Sequence, residues 1–239
     1  IQPRKADMRS ANRGAHDAPD FAADSKIFDT TAIDANLVLA RGQLAWMTPK
    51  ETPWFAFTAM DGVSVDDDAK GWLAEATQAV RLMLARSNFY AEIMELYLDR
   101  GGFGTAALFM DYVPRDRRLM FRSLPVGTYV CAESAEGKVD TVGRRRRLTA
   151  RQARQLFGEK NLPEKVRKKL GDPAKQNETE AYLSLIFPRE DFKATSKLSV
   201  DMPHASYWVH EESKMIVEEG GYNNLPVVVT RFLRWNGVS

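Results

Sequence analysis

From Thr31 to Met47 the apolar residues Ile33, Leu37, Ala40, Leu44 and Met47 recur at alternating steps of four and three, and Asp29 to Thr31 offer a polar start. That spacing predicts a helix with one buried face. A second helix is predicted behind Asp66, Asp67 and Asp68, with Trp72, Leu73, Ala76, Val80 and Leu84 on one side. Carboxylates at that end favour the positive pole of the helix. A third is predicted from Ser87 as N-cap, with Phe89, Ile93, Leu96 and Tyr97 at helical spacing. Gly101 and Gly102 are expected to stop it. Gly104 follows, and Thr105 to Val113 is apolar and short enough for a largely buried strand. Glycines at such a turn point to close backbone packing or positive φ. The Gly101-Gly102-Phe103-Gly104 run makes a poor phosphate loop, because it follows a helix rather than opening one.

Between these helices, Pro49 and Pro53 bracket a turn, and Trp54-Phe55-Ala56-Phe57 reads as a short aromatic strand or extended edge. Beyond Val113 strands dominate: Leu119 to Leu124, then Thr128 to Glu133 and Lys138 to Arg147 as a hairpin around Ala135-Glu136-Gly137. Thr149 caps a short helix that ends at Phe157 and Gly158, and Pro163 to Gly171 frames another. The polar run from Gly171 to Glu180 reads as a loop. Ala181 to Phe187, Ser206 to His210, Met215 to Glu219 and Pro226 to Trp235 complete the strands. Residues 1–28 are polar and without period, which suggests an extended arm. The fold class is therefore α+β: helices first, packed on a mostly antiparallel sheet, with a small helical insert at about residues 149–171.

The 239 residues, 44% hydrophobic, suffice for one large domain or two small ones. Thirty-four Lys and Arg stand against 32 Asp and Glu, a net charge of +2 that supplies no global pull toward a polyanion. Any nucleic-acid contact must be local. The single cysteine, Cys131, allows no intrachain disulfide, and its strand-like setting suggests a small buried hydrophobe. No apolar run approaches the roughly 18 residues of a membrane span. The chain starts at Ile1 and stops just after an apolar strand, so a fragment of a longer protein is expected.

The sharpest charge feature is Arg144, Arg145, Arg146, Arg147, Arg151 and Arg154. In a strand, Arg144 and Arg146 face one way while Arg145 and Arg147 face the other, so the four cannot act as one flat patch. They fit an edge strand or a salt-bridged subunit interface, with phosphate contact as the alternative. Lys165, Arg167, Lys168 and Lys169 add a basic helix face near Glu159, Glu164, Glu178 and Glu180. Asp66 to Asp68 point in different directions on a helical turn and do not converge on a metal. His16, His204 and His210 match no zinc spacing. No cofactor, metal or catalytic residue is expected. A site assembled from Asp201, His204 and His210 is the arrangement an enzyme would need.

With these residues laid out, the chain resembles the head-to-tail connecting proteins, the portal proteins of short-tailed bacteriophages. The resemblance is carried, in order, by Asp29-Thr30-Thr31, Leu44 to Met47 with Thr48-Pro49, Pro53-Trp54-Phe55, Trp72-Leu73 and Ser87-Asn88-Phe89-Tyr90. It continues through Phe103 to Leu108, Leu124 to Tyr129, Gly137 to Val142, Leu148 to Gln152 with Phe157-Gly158, and Pro226-Val227-Val228 leading to Arg234-Trp235. The resemblance implies a structural subunit of a twelve-membered ring at one capsid vertex. Through such a ring a terminase threads double-stranded DNA, and to it the tail attaches. It implies partners in the capsid protein, terminase and tail adaptors, and no enzymatic activity. Residues 29–113 would be the helical part of a wing and residues 114–239 its strand-rich part. Stem, clip and crown would lie outside this chain.

Overall fold

The computed structural model describes residues 29–60, 62–113, 116–193, 195–196 and 198–233. The expected arm at residues 1–28 and the closing Arg234-Trp235 lie outside the described residues. Described residues up to Val126, together with those from Val227 onward, form one compact unit, and Gly127 to Pro226 form a second. Each unit has its own antiparallel sheet, in keeping with the α+β expectation.

In the first unit, helices α1 (Thr31–Met47), α2 (Asp67–Arg86) and α3 (Phe89–Phe103) precede strands β1 (Thr105–Val113) and β2 (Arg118–Leu124). Strand β8 (Val227–Arg231) returns from far along the chain to pair with β1, giving the order β2-β1-β8. The core joins Ala40 of α1, Leu84 of α2, Phe89, Ile93, Leu96 and Tyr97 of α3, and Ala106, Leu108 and Phe121 of the sheet. Asp66 caps α2 by accepting the Ala69 N–H at 2.9 Å.

The third helix does not stop at Gly101-Gly102; it runs on to Phe103, and Gly104, at φ 80°, ends it in the left-handed conformation that glycine adopts without strain. Gly101 instead serves close approach, because a Cβ there would collide with the Asn36 side chain of α1. Ser87 is not its N-cap: the Ser87 hydroxyl donates to the Leu84 carbonyl at the end of α2, and Asn88 takes the cap position. Of the two readings of Trp54 to Phe57, the strand is not formed: the segment lies outside both sheets, and its Trp54 ring stacks on Phe89 at 6.1 Å, so aromatic packing rather than a hydrogen-bond ladder holds it. Strand β1 is buried only over Ala106 to Leu108, and Met110 and Tyr112 are exposed. Ile33, Met47 and Trp72, assigned to buried helix faces, are also exposed.

The second unit is a five-stranded meander, β3 (Tyr129–Glu133), β4 (Val139–Thr149), β5 (Thr179–Pro188), β6 (His204–His210) and β7 (Met215–Tyr222), each strand antiparallel to the next. Between β4 and β5 lie α4 (Ala150–Phe157) and α5 (Glu164–Leu170). Thr149 and Gln152 form a reciprocal capping box that turns β4 directly into α4. Leu148, Ala153, Phe157, Leu162, Val166, Tyr182 and Val217 make the core beneath the insert. Cys131, expected to be buried, is exposed on edge strand β3. Burial in this sheet follows the helix-covered region, and β3 lies at its outer edge. Among the described residues, no helix is long and apolar enough to cross a membrane.

Candidate functional site

The arginine segment spans the junction of β4 and α4. Arg144, Arg145, Arg146 and Arg147 pair in register with Ser184, Leu183, Tyr182 and Ala181 of β5, so neighbours in sequence alternate between faces. Arg145 Nε donates to Glu211 Oε2 at 2.8 Å. The Arg146 guanidinium lies 5.6 Å from the centre of the Trp208 ring, a cation–π contact on the opposite face. Arg144 is half-buried and, with Arg145, lines a shallow groove of about 210 Å³ whose apolar wall includes Val130, Leu183 and Leu185. Arg147 is exposed at the end of β4, and Arg151 and Arg154 are exposed on α4, where a spacing of three puts them on neighbouring positions. These three make no salt bridge among the described residues. Arg144, Arg145 and Arg146 are thus taken up within the sheet, whereas Arg147, Arg151 and Arg154 are presented outward.

A second charged cluster was only partly legible in the sequence. Lys165 and Lys169, one turn apart on α5, reach over the sheet to acidic residues just before β5, on β5 and in the β6–β7 turn. Lys169 Nζ sits 2.7 Å from both Glu178 Oε2 and Glu180 Oε1. Lys165 Nζ lies 2.6 Å from Glu212 Oε2 and 3.9 Å from Glu180 Oε1. Hydrogen bonds to Glu178 and Glu180 raise the Lys169 pKa, and the bond to Glu212 raises that of Lys165. Beneath them, Tyr182 is fully buried and burial pushes its phenol up to about 12, with the nearby Glu180 charge adding to the effect. His210, 1% exposed, faces Glu180 Oε2 at 3.7 Å and places Nδ1 2.8 Å from Ser213 Oγ. The signal that would have found this cluster is the i,i+4 lysine pair set against Glu178 and Glu180, which stand two residues apart where the chain enters β5.

The alternative centre at Asp201, His204 and His210 does not assemble. His204 and His210 are the two ends of β6, which at about 3.3 Å per residue puts them roughly 20 Å apart. Asp201 is occupied by Ser196 Oγ at 2.6 Å and Lys193 Nζ at 3.3 Å.

Two antiparallel sheets, each with its own helices, define the α+β fold class. The sequence model of the family described as bacteriophage head to tail connecting protein matches residues 1–238, and the chain belongs to that family. Its relatives include the portal protein of Salmonella phage epsilon15, 27% identical over 218 residues that cover 89% of this chain and 38% of the relative. They also include the probable portal protein of Bordetella phage BPP-1, 28% identical over 214 residues that cover 87% of this chain and 38% of the relative. The chain thus spans well under half the length of these curated relatives.

Proposed function

We propose that this chain forms the wing-like part of a portal subunit, a structural component of the ring at the capsid vertex through which DNA is packaged and ejected and to which the tail attaches. The observation that carries this reading is the family match over residues 1–238 together with two portal relatives aligned over most of the chain. The ring is expected to have twelve subunits, to contact the capsid protein, and to meet terminase and tail adaptors through other parts of the full-length subunit. It would be assembled in the host cytoplasm and carried in the virion. The role is mechanical rather than catalytic. A net charge of +2 suits a conduit wall, since a strongly cationic lining would gain affinity with every phosphate and hold DNA back. The outward arginines and the charge-matched insert suit a head-to-tail contact repeated around a closed ring.

Electron microscopy of the full-length subunit tests this directly. Rings with a central hole are expected, and a subunit that stays monomeric and never joins a procapsid overturns the reading. The second reading, a nucleic-acid-binding module, is favoured by the exposure of Arg147, Arg151 and Arg154. It requires tight, salt-sensitive DNA binding by the isolated chain.

A further inference from the structure

Where β5 begins and β6 ends, beside α5, Glu180, His210 and Glu212 each offer one donor atom, and these atoms lie within 4.8 Å of one another. The histidine sets this cluster apart from an ordinary surface network. His210 is 1% exposed, and its Nε2 has no hydrogen-bond partner. Nε2 faces Glu180 Oε2 at 3.7 Å, too long for a hydrogen bond. It is close to the roughly 3.4 Å that separates two ligands on a tetrahedral ion with bonds of about 2.1 Å.

We propose that Glu180, His210 and Glu212 form a binding site for a divalent transition-metal ion of the zinc type. An imidazole nitrogen with two carboxylates is a donor set such ions accept, and water completes the coordination. The two lysines are compatible with this. Lys169 holds Glu180 through Oε1, which leaves Oε2 directed at the histidine. Lys165 holds Glu212, but its side chain is 52% exposed and can withdraw into solvent, exchanging one positive charge for two. Glu178, Glu180 and Glu212 then face Lys169 and a dication, and the charges balance. His210 Nδ1 accepts the Ser213 N–H at 3.2 Å and lies 2.8 Å from Ser213 Oγ, so the neutral ring carries its proton on Nε2 in the ion-free state; binding at Nε2 shifts that proton to Nδ1, which then donates to Ser213 Oγ, the kind of outer contact that orients a metal-bound imidazole. The ion would tie β5 to the β6–β7 turn, where the helical insert rests.

The test is titration of the purified 239-residue chain with Co²⁺, followed by its visible absorption bands, and with Zn²⁺, followed by calorimetry and thermal melting. One saturable equivalent and a higher Tm are expected. Glu212→Gln, at an exposed position that leaves folding intact, should weaken binding tenfold or more, and Lys165→Ala should tighten it by removing the competing ammonium. The proposal is overturned if the wild-type chain shows no saturable binding. It is equally overturned if Glu212→Gln binds with unchanged affinity, which would assign the ion to other donors such as His204 or Cys131.

Discussion

The Asn88 side chain holds the backbone of Phe121 from both sides: its Nδ2 donates to the Phe121 carbonyl at 2.7 Å and its Oδ1 accepts the Phe121 N–H at 2.9 Å. Phe121 lies on β2, an edge strand of the three-stranded sheet, so these groups have no neighbouring strand to pair with. One turn further along α3, Glu92 accepts the next outward N–H, that of Ser123, at 2.6 Å. The start of a helix thus closes a sheet edge. Asn88→Ala should cost about 2 kcal/mol by leaving a half-buried donor and acceptor unpaired, measured by urea unfolding. Asn88→Asp should cost at least as much, since its second oxygen would face the Phe121 carbonyl and the Glu92 carboxylate to which Asn88 Nδ2 now donates.

Gly101 and Gly71 should respond to alanine in opposite directions. At Gly71 of α2 nothing lies within 4 Å of an added Cβ, so Gly71→Ala should stabilise by up to about 1 kcal/mol through helix propensity. At Gly101 the Cβ would strike Asn36 and displace it from the Leu98 carbonyl, to which Asn36 Nδ2 donates at 3.0 Å. A net loss of about 1–2 kcal/mol is expected. Combining Gly101→Ala with Asn36→Ala should recover part of that loss, and a double-mutant cycle measures how much.

Asp99 should make stability fall as pH rises. Burial, reinforced by Glu95 one turn away, lifts its carboxyl from the ordinary 3.8 to about 6. The native state therefore binds the proton more tightly than the unfolded chain, and stability from this group declines through the window from about 4 to about 6. Asp99→Asn should flatten that decline and raise Tm at pH 7. Thermal melts of both proteins across this range check it, and parallel profiles would refute it.

Thr149→Ala should destabilise the second unit by about 1 kcal/mol. The Thr149 hydroxyl accepts the Gln152 N–H at 3.2 Å, and Gln152 Oε1 accepts the Thr149 backbone N–H at 3.0 Å; alanine removes the first bond and keeps the donor of the second, so half of the capping box is lost. Hydrogen exchange should show α4 loosening first, because α4 is the element this box starts.

Replacing Arg147, Arg151 and Arg154 together by alanine should leave the salt dependence of DNA binding unchanged if these residues serve subunit contact. Three phosphate contacts would lower the slope of log affinity against log salt by about 2.7. A filter-binding or fluorescence titration at several salt concentrations separates the two outcomes.

Local patterning made much of the fold legible. Periodicity marked α1 and α2, the Thr149 to Gly158 and Pro163 to Gly171 signals marked the insert, and alternation with glycine turns marked the hairpins. These features act over a few residues, so a linear reading captures them. The third helix was found but its ends were misplaced. Whether Gly101 breaks a helix or admits a neighbour depends on Asn36, which is distant along the chain. Cys131 was misjudged because burial of a strand residue depends on whether the strand is at an edge. The alternation of Arg144 to Arg147 was legible, whereas their separate fates on Glu211 and Trp208 required strands that come much later.

The amino-acid order alone determined the α+β class, the capped insert and the resemblance to head-to-tail connecting proteins, because each rests on short-range spacing or on blocks of residues in sequence. Tertiary structure decided that the strands divide into two sheets, with β8 returning to β1. It also decided that Asn88 closes an edge, and that Glu180, His210 and Glu212 meet beneath Lys165 and Lys169. Pairing partners and buried charge clusters arise from contacts between distant segments, where register and burial set the energy and local spacing carries no record of them.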